Sequence, residues 1–445
     1  MLLNFLCTWL GVELLTLDCH GGTTEQDIIS IFYKAKSMLL FRKQQVQDNE
    51  EEGDYTSSSS SSSSAVMSMG KTSASTVFIF LDEVNTCNNM GLLNEVMCHR
   101  TLNGERLPDG IQILAALNPY RLRSKSKDEA GLTFNLHGPV ASTRPAHTSE
   151  DAKDNYTDIK NSSLQLVYRV QPIPPTFKDF IFDFGSLEPV TELLYISSMI
   201  KFSSGVQAIM ATQTYSKGSN APDSPQRLDE EHRMSVMIQT CQEYVRNVEG
   251  DASVVSLRDV KRCLTLFRWF YYELPDIYDA ALENYKRSSG RSSEQSSSTS
   301  SYSWESDVNR VSYAFVLAVA HIYYYRLSTL SERSGLWAAV SDALEGPTIA
   351  KATKASKPLY TCFNHPELVE LMITQAHMHM VSHLVIEDGI SLNQAVTENL
   401  FVTLVCIFNK IPIFLVGKPG TSKTLTLQII HSNLRGPVSA KVRYI

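Results

Sequence analysis

The sequence lacks the features on which extracellular, zinc-binding and membrane-spanning proteins depend. Its eight cysteines are scattered along 445 residues and no two of them form a CxxC pair, so reduced thiols are expected instead of a zinc module or a disulfide framework. No stretch reaches the roughly 18 uninterrupted apolar residues of a transmembrane helix. The first residues also lack the basic segment and the small-residue cleavage site of a signal peptide. We therefore expect a cytoplasmic protein without a transmembrane segment.

An excess of positive charge is also missing. The formal net charge is −7, which does not indicate an extended basic surface. We therefore expect no nucleic-acid partner. What is present is an ordinary globular composition, with 43% hydrophobic and 20% charged residues, and a length that predicts two or three domains. Serine-rich insertions near 48–76 and at 288–301, and a polar loop at 124–163, have no capacity to build a core.

The most informative stretch is FIFLDEVNT, from Phe78 to Thr86. Its four apolar residues predict a strand that is buried on both faces of a parallel sheet. Asp82 and Glu83 follow directly, so they lie at the carboxyl end, which faces the ligand crevice in open α/β sheets. A P-loop ATPase uses such a pair, because the first carboxylate holds Mg²⁺ and the second polarises the attacking water. The alternative is a buried strand that ends in two solvated acids.

The next buried strand ends in an asparagine. The sequence IQILAAL predicts a strand from Ile111 to Leu117, and Asn118 follows it. An asparagine at this point can hydrogen-bond the attacking water or the γ-phosphate. As an isolated dipeptide, Asn118-Pro119 is only a turn signal. Its position after a second buried strand favours the functional interpretation.

The first residues predict a helix and a strand that belong to the middle of an α/β unit. We expect a helix from Leu2 to Leu10, a strand from Val12 to Leu17 and, after a glycine-containing loop, a helix from Glu25 to about Phe41. Because the chain starts inside such a unit, we expect it to be a fragment.

A helical region later in the chain contains one arginine of interest. Ser256 has the side chain of an N-cap residue, and the helix after it carries its apolar residues on one face. Arg258 lies near the start of this helix on another face. It is either a solvated surface residue or an arginine that contacts the γ-phosphate and couples the position of a lid to the nucleotide state.

A second motif lies near the C-terminus. We expect a strand at Ile413–Val416 and a helix at Leu425–Ile430, and the sequence between them has the glycines and the Lys-Thr pair of a phosphate-binding loop. In such a loop Lys423 reaches the β- and γ-phosphates and Thr424 ligates Mg²⁺. Ser422 stands where glycine is usual, and it fits if its backbone dihedrals are helix-like. The predicted nucleotide-binding residues are Gly417, Lys418, Pro419, Gly420, Thr421, Ser422, Lys423 and Thr424.

The order of the two motifs is unusual for one domain, because a phosphate-binding loop normally precedes its Asp-Glu strand. Here Gly417 comes far after Asp82. We therefore predict two consecutive ATPase modules. The first lacks its own phosphate-binding loop, and the second is cut off after the helix of its loop. On this interpretation Lys423 and Glu83 serve neighbouring nucleotide pockets.

The motif series resembles the mysterin-type giant RING-finger AAA+ E3 ubiquitin ligases. The matching segments are HGGTTEQDI, FIFLDEVNT, ILAALNPYR, LVYRVQPIPP, FDFGSL, SLRDVKR and IFLVGKPGTSKT. The resemblance covers most of the chain outside the serine-rich insertions. It implies an α/β P-loop AAA+ fold at the junction of two modules of a dynein-like core. The chain then divides into an ATPase subdomain at 1–195, a mostly helical lid at 196–390 and the start of a second module at 391–445.

The resemblance also implies roles for single residues. Asp82 and Glu83 are similar to a Walker B pair, Asn118 to sensor 1 and Arg258 to a sensor 2 arginine. Arg121 resembles an arginine finger that acts across a module interface. The residues similar to Walker A of the following module are Gly417, Gly420, Lys423 and Thr424.

The implied activity is ATP binding and Mg²⁺-dependent hydrolysis that drives or gates conformational change, with neighbouring AAA+ modules as partners. Ubiquitin transfer, with ubiquitin and a ubiquitin-conjugating enzyme as partners, is implied only for the parent protein, because these residues contain no RING-like Cys/His series. Two other classes share the same motifs. One is a motor or ribosome-assembly type AAA+ mechanoenzyme, and the other is a scaffold that binds nucleotide without turnover.

Overall fold

The computed structural model describes residues 2–53, 76–118, 170–185, 187–212, 225–250, 252–291, 304–345, 359–416 and 420–435. These residues form two compact units, one of residues up to 185 and one of residues from 187 onward. The finer division of the chain at 1–195, 196–390 and 391–445 remains a prediction.

The first unit contains a small parallel sheet. The helix and the strand predicted at its start are confirmed, the strand with a shift of one residue. Short 3₁₀ and π turns occur at Val84–Thr86, Glu95–His99 and Pro175–Phe180. The helices and strands are α1 (Leu2–Leu10), β1 (Glu13–Asp18), α2 (Glu25–Gly53), β2 (Val77–Asp82), α3 (Met90–Asn94), β3 (Thr101–Leu102), β4 (Glu105–Arg106) and β5 (Ile111–Ala115).

The parallel sheet has the strand order β1-β2-β5. In its register Asp18 lies opposite Asp82, and Leu81 lies opposite Ala115. The carboxyl ends of all three strands therefore meet at one edge. Every second residue of β2 is fully buried, in one core with the inner face of α2, and the residues between them are half-buried. The prediction that this strand is buried on both faces is thus wrong for the described part of the chain, where one face is only partly covered.

Helix α2 is longer than predicted. It was expected to end near Phe41, before an acidic insertion, but its backbone remains helical to Gly53. The residues from Arg42 to Glu52 are mainly Lys, Gln and Glu, whose straight side chains lose little freedom in a helix. Local propensity therefore favours the continuation of the helix beyond Phe41.

The Asn-Gly turn between β3 and β4 gives a tight antiparallel hairpin. Both Asn103 and Gly104 have positive φ, of 52° and 79°. A two-residue turn of this kind requires left-handed backbone at both positions, for which asparagine and glycine are the usual residues. In the chain, the hairpin precedes β5, and a short loop joins them.

The second unit is helical in its described residues. The 3₁₀ turns are Tyr324–Arg326 and Thr361–Asn364. The helices are α4 (Pro189–Phe202), α5 (Ser204–Ala211), α6 (Pro225–Glu249), α7 (Leu257–Glu273), α8 (Pro275–Arg291), α9 (Trp304–Asp307), α10 (Arg310–Ile322), α11 (Leu330–Glu345), α12 (Pro366–Ser382), α13 (Gln394–Phe408) and α14 (Lys423–Leu434).

Helix α10 is the centre of the second unit. Every residue from Val311 to Ile322 is buried, which fits its nearly uninterrupted apolar sequence. Its start is fixed by a capping box in which Asn309 and Ser312 each bond the backbone of the other. The helix thus has no solvent-facing side.

The strand predicted at Ile413–Val416 is not formed. These residues carry no regular secondary structure, and the Phe414 side chain is 90% exposed. A β-strand needs a neighbour to share its backbone hydrogen bonds, and the described residues of the second unit contain no other strand. The apolar run before the predicted loop therefore stays unpaired. Among the described helices, none is both long and apolar enough to cross a bilayer.

Candidate functional site

Asp82 and Glu83 lie at the carboxyl edge of the sheet, as the sequence predicts. Asp82 is the last residue of β2 and is half-buried, whereas Glu83 is exposed. One carboxylate oxygen of Asp82, Oδ1, accepts the Glu83 N–H at 3.0 Å. The backbone of Asp82 is held from β1, because the Cys19 N–H donates to its carbonyl oxygen at 2.9 Å. Among the described residues, the other carboxylate oxygen of Asp82 has no hydrogen-bond partner, so it is available to another ligand.

Glu83 turns the chain sharply out of the strand. Its backbone is left-handed, with φ of 50° and ψ of 40°, a conformation that costs a non-glycine residue about 1–2 kcal/mol. The turn is closed by Thr86, whose N–H and Oγ1 both donate to the Glu83 carbonyl oxygen at 2.9 and 2.8 Å. A strained residue that the surroundings hold firmly is typical of functional sites.

Asn118 approaches Glu83. Its side-chain Nδ2 lies 3.4 Å from Glu83 Oε1, although the two residues follow different strands. Both side chains are exposed at the edge of the sheet. The structure therefore brings together the two residues predicted to act on the attacking water, with Asp82 directly before one of them.

Sequence reasoning missed the residue that holds Asn118. Asn85 is fully buried in the turn after Glu83, and its Nδ2 donates to the Asn118 carbonyl oxygen at 2.7 Å. The signal was a polar residue between the apolar strand and its turn, which alone does not distinguish a buried asparagine from an exposed one. The pairing depends on the return of the chain through β5 and is not visible locally.

The same turn is fastened to the loop after β1, which the sequence analysis also left without a role. Asn88 Nδ2 donates to the Gly21 carbonyl oxygen at 2.7 Å, and Asn89 Nδ2 donates to the Thr23 carbonyl oxygen at 2.9 Å. Side-chain amides satisfy backbone groups that no strand pairs. The segments that follow β1 and β2 are therefore connected by side-chain bonds at this edge of the sheet.

Arg258 lies in the second unit, in the first turn of α7, and its side chain is exposed. The predicted N-cap is confirmed: Ser256 Oγ accepts the Arg258 N–H at 3.3 Å, and Asp259 Oδ2 accepts the Ser256 N–H at 2.9 Å. Asp259 is buried and also pairs with Arg326, with Oδ1 and Nη2 2.6 Å apart. These contacts fix the backbone from which Arg258 projects.

The predicted phosphate-binding loop is described only in its second half. Gly417, Lys418 and Pro419, and also Arg121, lie outside the described residues. Gly420 has a φ of 85°, and the Lys423 ammonium donates to Thr421 Oγ1 at 3.1 Å. Thr424 is exposed in the first turn of α14.

Ser422 differs from the expectation. It was expected to fit with helix-like dihedrals, but its φ of 58° and ψ of 17° are left-handed. A β-carbon is unfavourable in this conformation, whereas glycine adopts it at no steric cost. The position thus requires what glycine supplies, and the serine is strained there.

The chain is similar to known proteins over most of its length, and its C-terminal part also matches a known family. Residues 389–444 match the family described as the RNF213 AAA domain. The E3 ubiquitin-protein ligase RNF213 of Mus musculus is 28% identical over 364 residues, which are 80% of this chain and 6% of that protein. RNF213 of Homo sapiens is 28% identical over 428 residues, which are 94% of this chain and 6% of the relative. The rnf213-beta ligase of Danio rerio is 28% identical over 426 residues, which are 94% and 7% of the two chains.

The chain thus spans only 6 to 7% of the length of these relatives. The small parallel sheet and the helical second unit are compatible with the AAA+ fold expected from the sequence. The resemblance to the giant AAA+ ubiquitin ligases is confirmed by these matches. The chain is similar to RNF213 ligases over most of its length, and its residues 389–444 match the RNF213 AAA domain family.

Proposed function

We propose that this chain is part of an AAA+ core that binds ATP with Mg²⁺ and hydrolyses it to drive conformational change. The observation that carries the proposal is the approach of Asn118 Nδ2 to Glu83 Oε1, at 3.4 Å, beside Asp82. An acid that takes a proton from water needs a partner that orients that water. An amide and a carboxylate at the ends of neighbouring parallel strands supply this pair.

The donor set fits a magnesium ion. Mg²⁺ prefers oxygen ligands, and carboxylates and hydroxyls are its usual ones. Asp82 has one carboxylate oxygen bonded to the Glu83 N–H and one remaining for a metal-bound water or the ion itself. A bound Mg²⁺ would neutralise charge that develops on the phosphates. With nucleotide bound, Glu83 would polarise the attacking water, and Asn118 would orient that water toward the γ-phosphate.

Residues 417–424 belong to a second nucleotide pocket in this proposal. This assignment is supported by the sequence motif and by the match to an AAA domain. It is also supported by the position of the motif at the N-terminus of α14, where backbone N–H groups attract phosphate. Lys423 is assigned to the β- and γ-phosphates and Thr424 to Mg²⁺. Arg258 is assigned to the γ-phosphate from the lid, and Arg121 to a neighbouring module.

The larger protein has the ligase activity in this proposal. The relatives are named E3 ubiquitin-protein ligases, so ubiquitin and a ubiquitin-conjugating enzyme are proposed as partners of parts outside these residues. ATP and the neighbouring AAA+ modules are the proposed partners of this chain itself. The proposed compartment is the cytoplasm.

The test is Glu83→Gln in the full-length protein that contains these residues. The amide keeps the shape of the side chain but cannot accept the proton of the attacking water, so ATP turnover should fall while ATP binding remains. Glu105→Gln is the matched control, because Glu105 is an exposed acid on the β3–β4 hairpin whose carboxylate pairs, among the described residues, with Lys36. Unchanged turnover in Glu83→Gln would show that Glu83 is not the base.

A further inference from the structure

The side-chain amide of Asn85 contacts the backbone of Asn118 at two points. Its Nδ2 donates to the Asn118 carbonyl oxygen at 2.7 Å, and its Oδ1 accepts the Asn118 N–H at 3.4 Å. Asn85 is fully buried, so bulk water does not compete for these bonds. Two contacts fix both the position and the orientation of the peptide groups, whereas one contact would leave them free to rotate.

These two bonds take the place of backbone hydrogen bonds between neighbouring strands. The last backbone bond at this point joins the Val84 N–H to the Ala116 carbonyl oxygen at 2.9 Å. The chain leaves the strand at the left-handed Glu83, and the bond of Val84 is the last of the described backbone bonds between these two segments. An asparagine side chain has the same donor and acceptor as a peptide group. Asn85 therefore continues the pairing for the residue that follows the strand, Asn118.

We propose that Asn85 is a positioning residue of the hydrolysis site, which acts on Glu83 through Asn118. The Asn118 side chain is exposed, so its own packing does not fix it. Its Nδ2 nevertheless lies at 3.4 Å from Glu83 Oε1. The inference rests on the proposed function of Glu83, and it adds a residue that touches neither the nucleotide nor the water.

Asn85 is itself held firmly. The Gln171 N–H donates to its carbonyl oxygen at 2.7 Å, so a segment far along the chain fixes the turn from behind. A group that positions another must be fixed more firmly than the group it positions. The buried Asn85 and the exposed Asn118 meet this condition.

The test is Asn85→Asp in the full-length protein. The carboxylate keeps the shape of the side chain and can still accept the Asn118 N–H, but it cannot donate to the carbonyl oxygen and repels it. We expect kcat of the turnover that depends on Glu83 to fall roughly tenfold to a hundredfold, which is the scale of a small displacement at a reacting centre. KM for ATP should stay unchanged, because Asn85 lies behind the site.

Gln112→Ala is the matched control. It removes an exposed amide side chain on β5 that donates to a backbone carbonyl oxygen, that of Asp109 at 3.4 Å, without touching Asn85 or Asn118. Its kcat should equal that of the unchanged protein. Asn85→Ala, which introduces no buried charge, should lower kcat in the same direction as Asn85→Asp. Unfolding of both Asn85 variants would assign the residue a structural role and overturn the proposal.

A double-mutant cycle separates positioning from general destabilisation. In an Asn118→Ala background, Asn85→Asp should cause no further loss of kcat, because the residue through which it acts is gone. A further loss of the same size, or full kcat in Asn85→Asp alone, would overturn the inference. Full turnover in Glu83→Gln would instead remove the proposed function, so the two failures are distinguishable.

Discussion

The two candidate nucleotide sites differ in how their residues are held. Around Glu83, a parallel ladder and buried side-chain bonds connect residues that are distant in the sequence. Around Ser422, the described contacts are local to the loop and the first turn of α14, and the apolar segment before the loop is unpaired. The first site therefore depends on long-range pairing, and the second depends on the backbone conformation of single residues. Variants should separate these two modes of support.

The largest effect is expected from the core beneath the first site. Ile79 is fully buried in β2, and Ile79→Ala removes packed atoms that the sheet cannot replace. The free energy of unfolding of the first unit should fall by roughly 2–5 kcal/mol. Phe414 lies in the unpaired segment and is 90% exposed. Phe414→Ala should therefore change the free energy of unfolding of the second unit by about 0.5 kcal/mol or less. Hydrogen exchange of peptides from each unit measures both, and equal effects would contradict the comparison.

A buried acid in the second unit gives the next largest effect. Glu230 in α6 is 6% exposed, its Oε1 accepts the Leu359 N–H at 3.1 Å, and its Oε2 has no partner among the described residues. Burial raises the pKa of Glu230 to about 7 from an ordinary value of 4.5. The folded protein thus prefers the protonated acid, so the contribution of Glu230 to stability is fully present below about pH 4.5 and is lost as the pH rises through 7.

Glu230→Gln should remove this pH dependence. The amide keeps the bond to the Leu359 N–H and carries no charge to bury, so the variant should gain on the order of 3 kcal/mol relative to the unchanged protein above pH 8. Urea denaturation at pH 5 and pH 8 measures the difference. Glu83→Gln, at an exposed position, is the control and should leave the pH dependence of stability unchanged. If the free energy of unfolding fell equally between pH 5 and pH 8 in Glu230→Gln and in the unchanged protein, the prediction would be contradicted.

The smallest effect is expected at the left-handed serine. Ser422→Gly should relieve the strain of its positive φ by about 1 kcal/mol and tighten nucleotide binding at the second site by roughly fivefold. Ser422→Ala keeps a β-carbon in the same conformation and should bring no gain. Titration of the full-length variants with a fluorescent ATP analogue measures the affinity. No difference between the glycine and alanine variants would show that this backbone strain does not limit binding.

The sequence was sufficient where the signal was local. An apolar run that ends in Asp82 and Glu83 predicts a strand and the edge on which the acids lie, because the direction of a parallel strand follows from the pattern. The burial of both faces was not predicted correctly, because the second face is only partly covered. The same holds for the Ser256 cap, which depends only on the residues of one helical turn. The fold of these elements could thus be derived before the structure was known.

The sequence was insufficient where a neighbour decides the outcome. The apolar residues Ile413–Val416 have strand propensity, yet no described strand of their unit pairs with them. Asn85 reads as an ordinary turn residue, and only the return of β5 makes it a buried partner of Asn118. The dihedrals of Ser422 likewise depend on the path of the loop and not on the residue type. Each of these cases needs contacts that a linear pattern does not contain.

Helix α10 has a mechanical consequence for the second unit. Because all its sides are packed from Val311 to Ile322, it cannot tilt without displacing the helices around it. The turn that follows it carries Arg326, which is paired with Asp259 at the start of α7. A displacement of α10 would therefore move Arg326 and, through its ion pair with Asp259, the first turn of α7 that carries Arg258.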